Sequence, residues 1–287
     1  MLRWTPSHYS TLSPVSLPVK WVFTLLVWGF FVALVYQFLH DPRTFSHNSL
    51  EDRFIENISA GLCFTTALIH FMLAKRQFTS SARTLFLLFS VVMFLIGMEE
   101  ISWFQRILDV ETPELFSSNM QNEMNIHNFY TTTSEYLYYT GAFVSLVLLP
   151  FVADGIRGRY PNGLISCVLP DRFILSLGVI SLQLNYDTWN ALITQFCSFS
   201  GLFIILYWLR TARGTPEKIA ILFIMLGMVT AQVLFLIHGH TLHWISVLTE
   251  YKELFITVGL LFHALNLVGR NTSEKQPFSE FRESIRS

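Results

Sequence analysis

The run Leu85-Phe86-Leu87-Leu88-Phe89-Ser90-Val91-Val92-Met93-Phe94-Leu95-Ile96 is apolar but for one serine, and it continues directly into Gly97-Met98-Glu99-Glu100-Ile101-Ser102-Trp103-Phe104-Gln105-Arg106. Uninterrupted apolar sequence of this kind is material for a helix through a bilayer. Two carboxylates at the edge of such a helix are costly unless water, a partner or a cation takes up their charge. The segment therefore predicts a transmembrane helix and asks for a chemical reason for Glu99 and Glu100.

The same character extends along the chain. Of 287 residues, 52% are hydrophobic and only 14% charged, against about a quarter charged in soluble domains. Stretches near 20–39, 56–74, 84–101, 135–153, 172–186, 189–209, 218–237 and 252–268 each approach the length of a membrane span. The fifth is the weakest, because Gln183, Asn185 and Asp187 interrupt it; without it the count is seven and the C-terminus changes side. The first exceeds a signal-peptide core and lacks a small-residue cleavage site, so it is expected to be retained.

With the N-terminus in the cytoplasm, only Arg43, Arg53, Arg106 and Lys252 of the 19 lysines and arginines fall outside, a strong positive-inside bias. The expected fold is an all-α, polytopic transmembrane helix bundle of about eight spans with both termini cytoplasmic. Residues 1–19 and 269–287 form tails around one helical domain at 20–268, and the long extracytoplasmic loop is 102–134. A net charge of −1 argues against nucleic acid as a partner. Cys63, Cys167 and Cys197 have no metal-ligand spacing and read as small buried hydrophobes.

If the helix runs on to Arg106, then Glu99, Ser102 and Arg106 share one face, with Glu100 and Trp103 on the adjoining strip. On one reading Glu99 pairs with an arginine and Trp103 joins the interfacial aromatic belt. On the other, the carboxylates bind a metal or act as acid and base, and Ser102 and Arg106 orient a substrate or bind its anionic group. Six of the nine histidines lie on the same outer side, with His238, His240 and His243 clustered near Glu250 and Glu253. Imidazole with carboxylate suits zinc or another divalent transition metal, and an open position on that metal would activate water.

His127, set between Asn125 and Asn128, is a further ligand or proton carrier, or simply a loop histidine. Glu56 is a helix N-terminal acid favoured by the dipole, or another ligand. The expected catalytic set is Glu99, Glu100, Ser102, Arg106 and His127, and the expected metal set is Glu56, Glu99, His127, His238 and His240. Within the loop, Thr112-Pro113-Glu114 reads as cap, proline and first-turn acid, predicting a short surface helix that sets Leu115 and Phe116 against lipid or protein. His263 and Asn266, three apart, are expected to hydrogen-bond and hold helices together.

The ordered set Glu51-Asp52, Glu56-Asn57, Glu99-Glu100-Ile101-Ser102-Trp103-Phe104-Gln105-Arg106, Glu111-Thr112-Pro113-Glu114 and Asn122-Glu123-Met124-Asn125-Ile126-His127-Asn128 resembles a family of uncharacterised bacterial polytopic membrane proteins. Its members read approximately Gly-Glu-Glu-Ile-Ser-Trp-Gly-Gln-Arg at the central motif. Met98 and Phe104 depart from that pattern, each standing where the family has glycine. The resemblance covers about residues 50–130 and implies a bacterial cytoplasmic-membrane location and the place of a site, without an activity.

The layout is more loosely similar to the alkaline-ceramidase-like membrane hydrolases, which gather acids, a serine and histidines round a zinc. Their late His-x-x-x-His is missing, since Leu267 occupies the fourth position after His263. The leading expectation is a metal-dependent hydrolase or transferase acting on a membrane lipid or lipid-linked substrate. The rival is a non-catalytic membrane subunit that docks a partner protein, and a carrier using Glu99, Glu100 and His263 comes third.

Overall fold

The computed structural model describes residues 17–50, 54–77, 80–119, 122–152, 177–183, 191–212, 214–241 and 247–273. Residues 1–16 and 274–287 of the tails, with Glu51, Asp52, Cys167 and His243, lie outside these residues. Helices are α1 (Leu17–His40), α2 (Pro42–Asn48), α3 (Phe54–Lys75) and α4 (Ser80–Glu100). They continue with α5 (Thr131–Val152), α6 (Ala191–Thr211), α7 (Thr215–His238) and α8 (Val247–Ser273). All but the short α2 are long and apolar enough to cross a membrane, and the described residues contain no strand. The protein is a multi-pass membrane helix bundle. Lipid offers the backbone no hydrogen-bond partners, so apolar sequence of this length closes its bonds within a helix.

Close packing organises the bundle. α3 and α4 form an antiparallel hairpin, with the Ser90 hydroxyl donating to the Ala67 carbonyl at 2.8 Å. Gly97 permits the approach: a Cβ there would stand 2.9 Å from the Phe64 ring. α8 lies along the other flank of α3, parallel to it. Leu260 packs beside Cys63 and Ala67, while Ala264 and Leu267 pack with Ile69 and Leu73 further along. With 61% of its apolar window buried, the highest share of any span, α8 is the central post.

α5 and α6 run in the same direction. Tyr139 and Thr194, from their first halves, line one small pocket, and the Phe151 and Tyr207 rings meet at 5.6 Å near their far ends. Of the expected span at 172–186, the described part is Leu177–Gln183, a short 3-10 helix against α7 and α8 whose residues 178–183 are buried. α5 itself carries a π-helical segment at Val144–Leu148.

Asn266 is fully buried, yet its side chain makes no hydrogen bond, so the expected His263–Asn266 bond is not formed. Lys252, expected on the outer side at the head of the eighth span, is buried in α8 with its ammonium 3.9 Å from the centre of the Tyr139 ring. Its four methylenes and the aromatic face let a cation sit inside the bundle.

Small residues let membrane helices approach closely, and Gly178 and Gly259 bring backbone against backbone: a Cβ on Gly259 would lie 3.0 Å from the Gly178 Cα. Gly259→Ala is expected to destabilise the detergent-solubilised protein by about 1–3 kcal/mol. Gly61→Ala, with open space at its Cβ position, should leave stability unchanged or raise it by up to about 1 kcal/mol through helix propensity. Thermal unfolding of the two variants beside wild type checks both.

Candidate functional site

The helix does not continue to Arg106. α4 ends at Glu100, and Ser102, Trp103 and Phe104 take left-handed backbone angles, with φ of 45°, 55° and 66°. Non-glycine residues pay roughly 1–2 kcal/mol each for that conformation, so surrounding contacts must hold it. They do so at both edges. The Trp103 indole donates back to Glu99 at 2.8 Å, and the Ser102 hydroxyl donates to Glu123 at 2.7 Å.

Glu123 is the centre of a polar knot. Besides Ser102, it accepts from Arg106 at 2.7 Å and from Asn125 at 3.0 Å. The Asn119 side chain spans the Glu123 backbone, accepting from its N–H at 3.1 Å and donating to its carbonyl. Gln105 donates to the Thr112 hydroxyl at 2.6 Å, and Thr112 donates onward to the Asn122 carbonyl at 2.7 Å. Thr112 is thus tied into the knot and does not cap a helix. The expected surface helix is a single 3-10 turn, Glu114–Phe116, with Leu115 exposed and Phe116 against Phe129.

Glu99 holds the far end of the loop. Its Oε2 accepts the backbone N–H groups of Ile126 and His127 at 2.7 and 3.2 Å, and it lies 3.4 Å from His127 Nδ1. Glu99 and Arg106 therefore do not pair; each has its own partner in the loop. Burial opposes the His127 imidazolium, but the Glu99 carboxylate, with Glu253 and Glu56 behind it, raises His127 above its ordinary value of 6.5.

Glu100 takes the opposite direction, into the bundle. It meets Glu250 and Glu253 of α8, and each of the three offers an oxygen within 4.8 Å of the others'. Among the described residues this is the one group of three or more acids, histidines or cysteines within reach of a common ion. Glu56 adds to the negative field at Glu100. Tyr139 donates to Glu253 at 3.4 Å. The Tyr138 hydroxyl, within the field of Glu253 and Glu100, is sealed from solvent and has no hydrogen-bond partner. Three carboxylates this close repel one another unless a proton or cation is shared among them.

The expected metal set divides differently. Glu99 and His127 are engaged with each other, and Glu56 flanks the carboxylate group. His238 lies at the end of α7, its ring 6.5 Å from that of Phe38, and neither it nor His240 joins the group. Of the expected catalytic residues, Glu100 faces the cluster, while Glu99, Ser102 and Arg106 hold the loop. Glu250 and Glu253 stand beside the histidines in the sequence but outside the expected ligand set, and Glu123, Tyr138 and Tyr139 have no expected role. Glu250 and Glu253 carried a usable signal: two acids three residues apart opening an apolar span, which is the logic that picks out Glu99 and Glu100. Comparison with known protein families, characterised proteins and solved structures gives no match.

Two tests address the loop. Phe104→Gly relieves the left-handed strain and is expected to stabilise the protein by about 1 kcal/mol, whereas Phe104→Val should destabilise it, as read by thermal unfolding. For His127, a folded value raised above 6.5 means a stabilising contribution fully present below 6.5 and lost as pH rises through the higher folded value. The melting-temperature gap between wild type and His127→Gln should therefore be widest at acid pH and close on the alkaline side.

Proposed function

We propose that the protein is a metal-dependent hydrolase or transferase acting on a lipid or lipid-linked substrate at the extracytoplasmic face of a bacterial cytoplasmic membrane. The observation that carries this reading is the meeting of Glu100 with Glu250 and Glu253, three carboxylates from two spans within a common ion's reach. They stand at the last residue of α4 and in the first two turns of α8. A cation held there would polarise an ester or phosphoester oxygen and lower the pKa of a bound water. Beside the group stand the Tyr138 hydroxyl, which has no hydrogen-bond partner, and Tyr139, which donates to Glu253. Arg106, paired with Glu123 and about half exposed, serves the loop first.

A docking subunit is favoured by a different observation: Leu108, Leu115 and Tyr130 of the same loop are each about two-thirds or more exposed. Exposed apolar residues at a membrane surface meet lipid or another protein.

The deciding experiment incubates the solubilised protein with labelled bacterial lipids and divalent salts and follows products by mass spectrometry. Wild type should convert at least one lipid class, and Glu100→Gln should lower the rate by on the order of 100-fold or more. No conversion by wild type under any cation, with cross-linking of the loop to a co-expressed membrane protein that Leu115→Asp abolishes, would give the docking reading the better claim.

A further inference from the structure

We infer that the Glu100–Glu250–Glu253 group is an all-oxygen site for a hard divalent cation, Mg2+, Ca2+ or Mn2+, completed by the Ser59 hydroxyl. This deepens the proposed function by naming the class of its metal, and it departs from the zinc that the histidine pattern suggests. Three independent observations support it.

The first is the register of the helices. Ser90 meets the Ala67 carbonyl and Gly97 packs on Cys63 and Phe64, so one further turn outward sets Glu100 opposite Ser59 and Ala60 of α3. On the other flank, Leu260 packs beside Cys63 and Ala67, and the parallel course of α8 brings Glu253, two turns outward, to the same level of α3. Ser59 thus lies at the depth of both carboxylates, on the helix that packs against both of their helices.

The second is the state of Ser59. It is 1% exposed, and its hydroxyl has no hydrogen-bond partner. A buried hydroxyl left unbonded is costly. A cation among the neighbouring carboxylates gives its oxygen a partner, and the Tyr138 hydroxyl, equally unbonded, can donate to a water on that cation.

The third is the donor chemistry. The three converging glutamates offer only oxygen, and Cys63, whose thiol lies in the field of Glu100 and Glu253, is not among the atoms within 4.8 Å of one another. His127 has its Nδ1 turned to Glu99, and His238 and His240 are outside the group. Carboxylate and hydroxyl oxygens suit magnesium, calcium and manganese, whereas zinc favours sites with nitrogen or sulfur. Oxygens facing one another across such a hard cation lie about 4–5 Å apart, and those of the three glutamates lie within 4.8 Å of one another.

The test uses the full-length protein in detergent, stripped with chelator, as wild type, Glu253→Gln, Ser59→Ala and His238→Ala. Each is titrated separately with Mg2+, Ca2+, Mn2+ and Zn2+ while its unfolding midpoint is followed, and the Mn2+-loaded forms are examined by pulsed EPR. At least one hard cation should raise the wild-type midpoint, and bound Mn2+ should show no nitrogen coupling. His238→Ala should respond like wild type. Glu253→Gln should lose the response yet melt higher than wild type without metal, because one repelling charge is gone. Ser59→Ala should weaken binding by about tenfold.

Three results would overturn the site: no midpoint shift with any hard cation, nitrogen coupling to bound Mn2+, or an undiminished response in Glu253→Gln. The lipid assay separates this inference from the function. Hard-cation binding without lipid conversion leaves the site standing and removes the enzyme. Lipid conversion that depends on histidine-bound zinc does the reverse.

Discussion

The Glu99 carboxylate determines where the chain goes once it leaves the membrane. It gathers the Trp103 indole from its own side and the backbone N–H groups of Ile126 and His127 from the far end of the loop. A carboxylate accepting several N–H bonds at once is a strong anchor, since bonds to a charged acceptor exceed neutral ones. With Glu123 binding Ser102, Arg106 and Asn125, the loop is pinned at its start, middle and end. A long loop would otherwise carry a large conformational entropy, and the positive φ values at Ser102–Phe104 persist because both anchors oppose their relaxation.

Glu99 and Glu100 illustrate how adjacent residues on a helix take unrelated tasks. Successive side chains diverge by about 100° around the axis. One carboxylate therefore faces the loop, where N–H groups are plentiful, and the other faces α8, where it finds two more carboxylates. The first is satisfied by the protein. The second is in the company of its own charge, which costs free energy unless a proton or cation is shared among the three.

Much of the architecture was legible from the residues alone. Long apolar runs become spans because lipid leaves the backbone no alternative, and seven spans fall close to their expected limits. The end of α4 was not legible: Ile101 through Arg106 has no glycine or proline to signal a break, and its helical spacing suggested a Glu99–Arg106 pair that the left-handed turn forbids. Carboxylates do converge at the end of the bundle where a site was expected, but Glu100 meets Glu250 and Glu253 there rather than His238 or His240. Histidines draw attention because they are chemically versatile, and Glu250 and Glu253 read as companions of those histidines rather than as partners of Glu100. Which of two helix faces meets a neighbour is a matter of tertiary packing. Lys252 shows the same point, for a basic residue at the head of a span reads as solvated unless an aromatic ring such as Tyr139 is known to lie beneath it.

The π-helical segment at Val144–Leu148 divides α5 into two halves that would not otherwise be in phase. Each extra residue in a helix rotates everything beyond it by about 100°. Before the segment, the helix turns Tyr139 toward Glu253; after it, Phe151 is turned toward Tyr207. A regular helix could satisfy one of these contacts at the expense of the other. The widened turn acts as a phase corrector, allowing one span to serve the polar chemistry at its mouth and the aromatic packing at its base, and it ties the orientation of the site to the seating of α6.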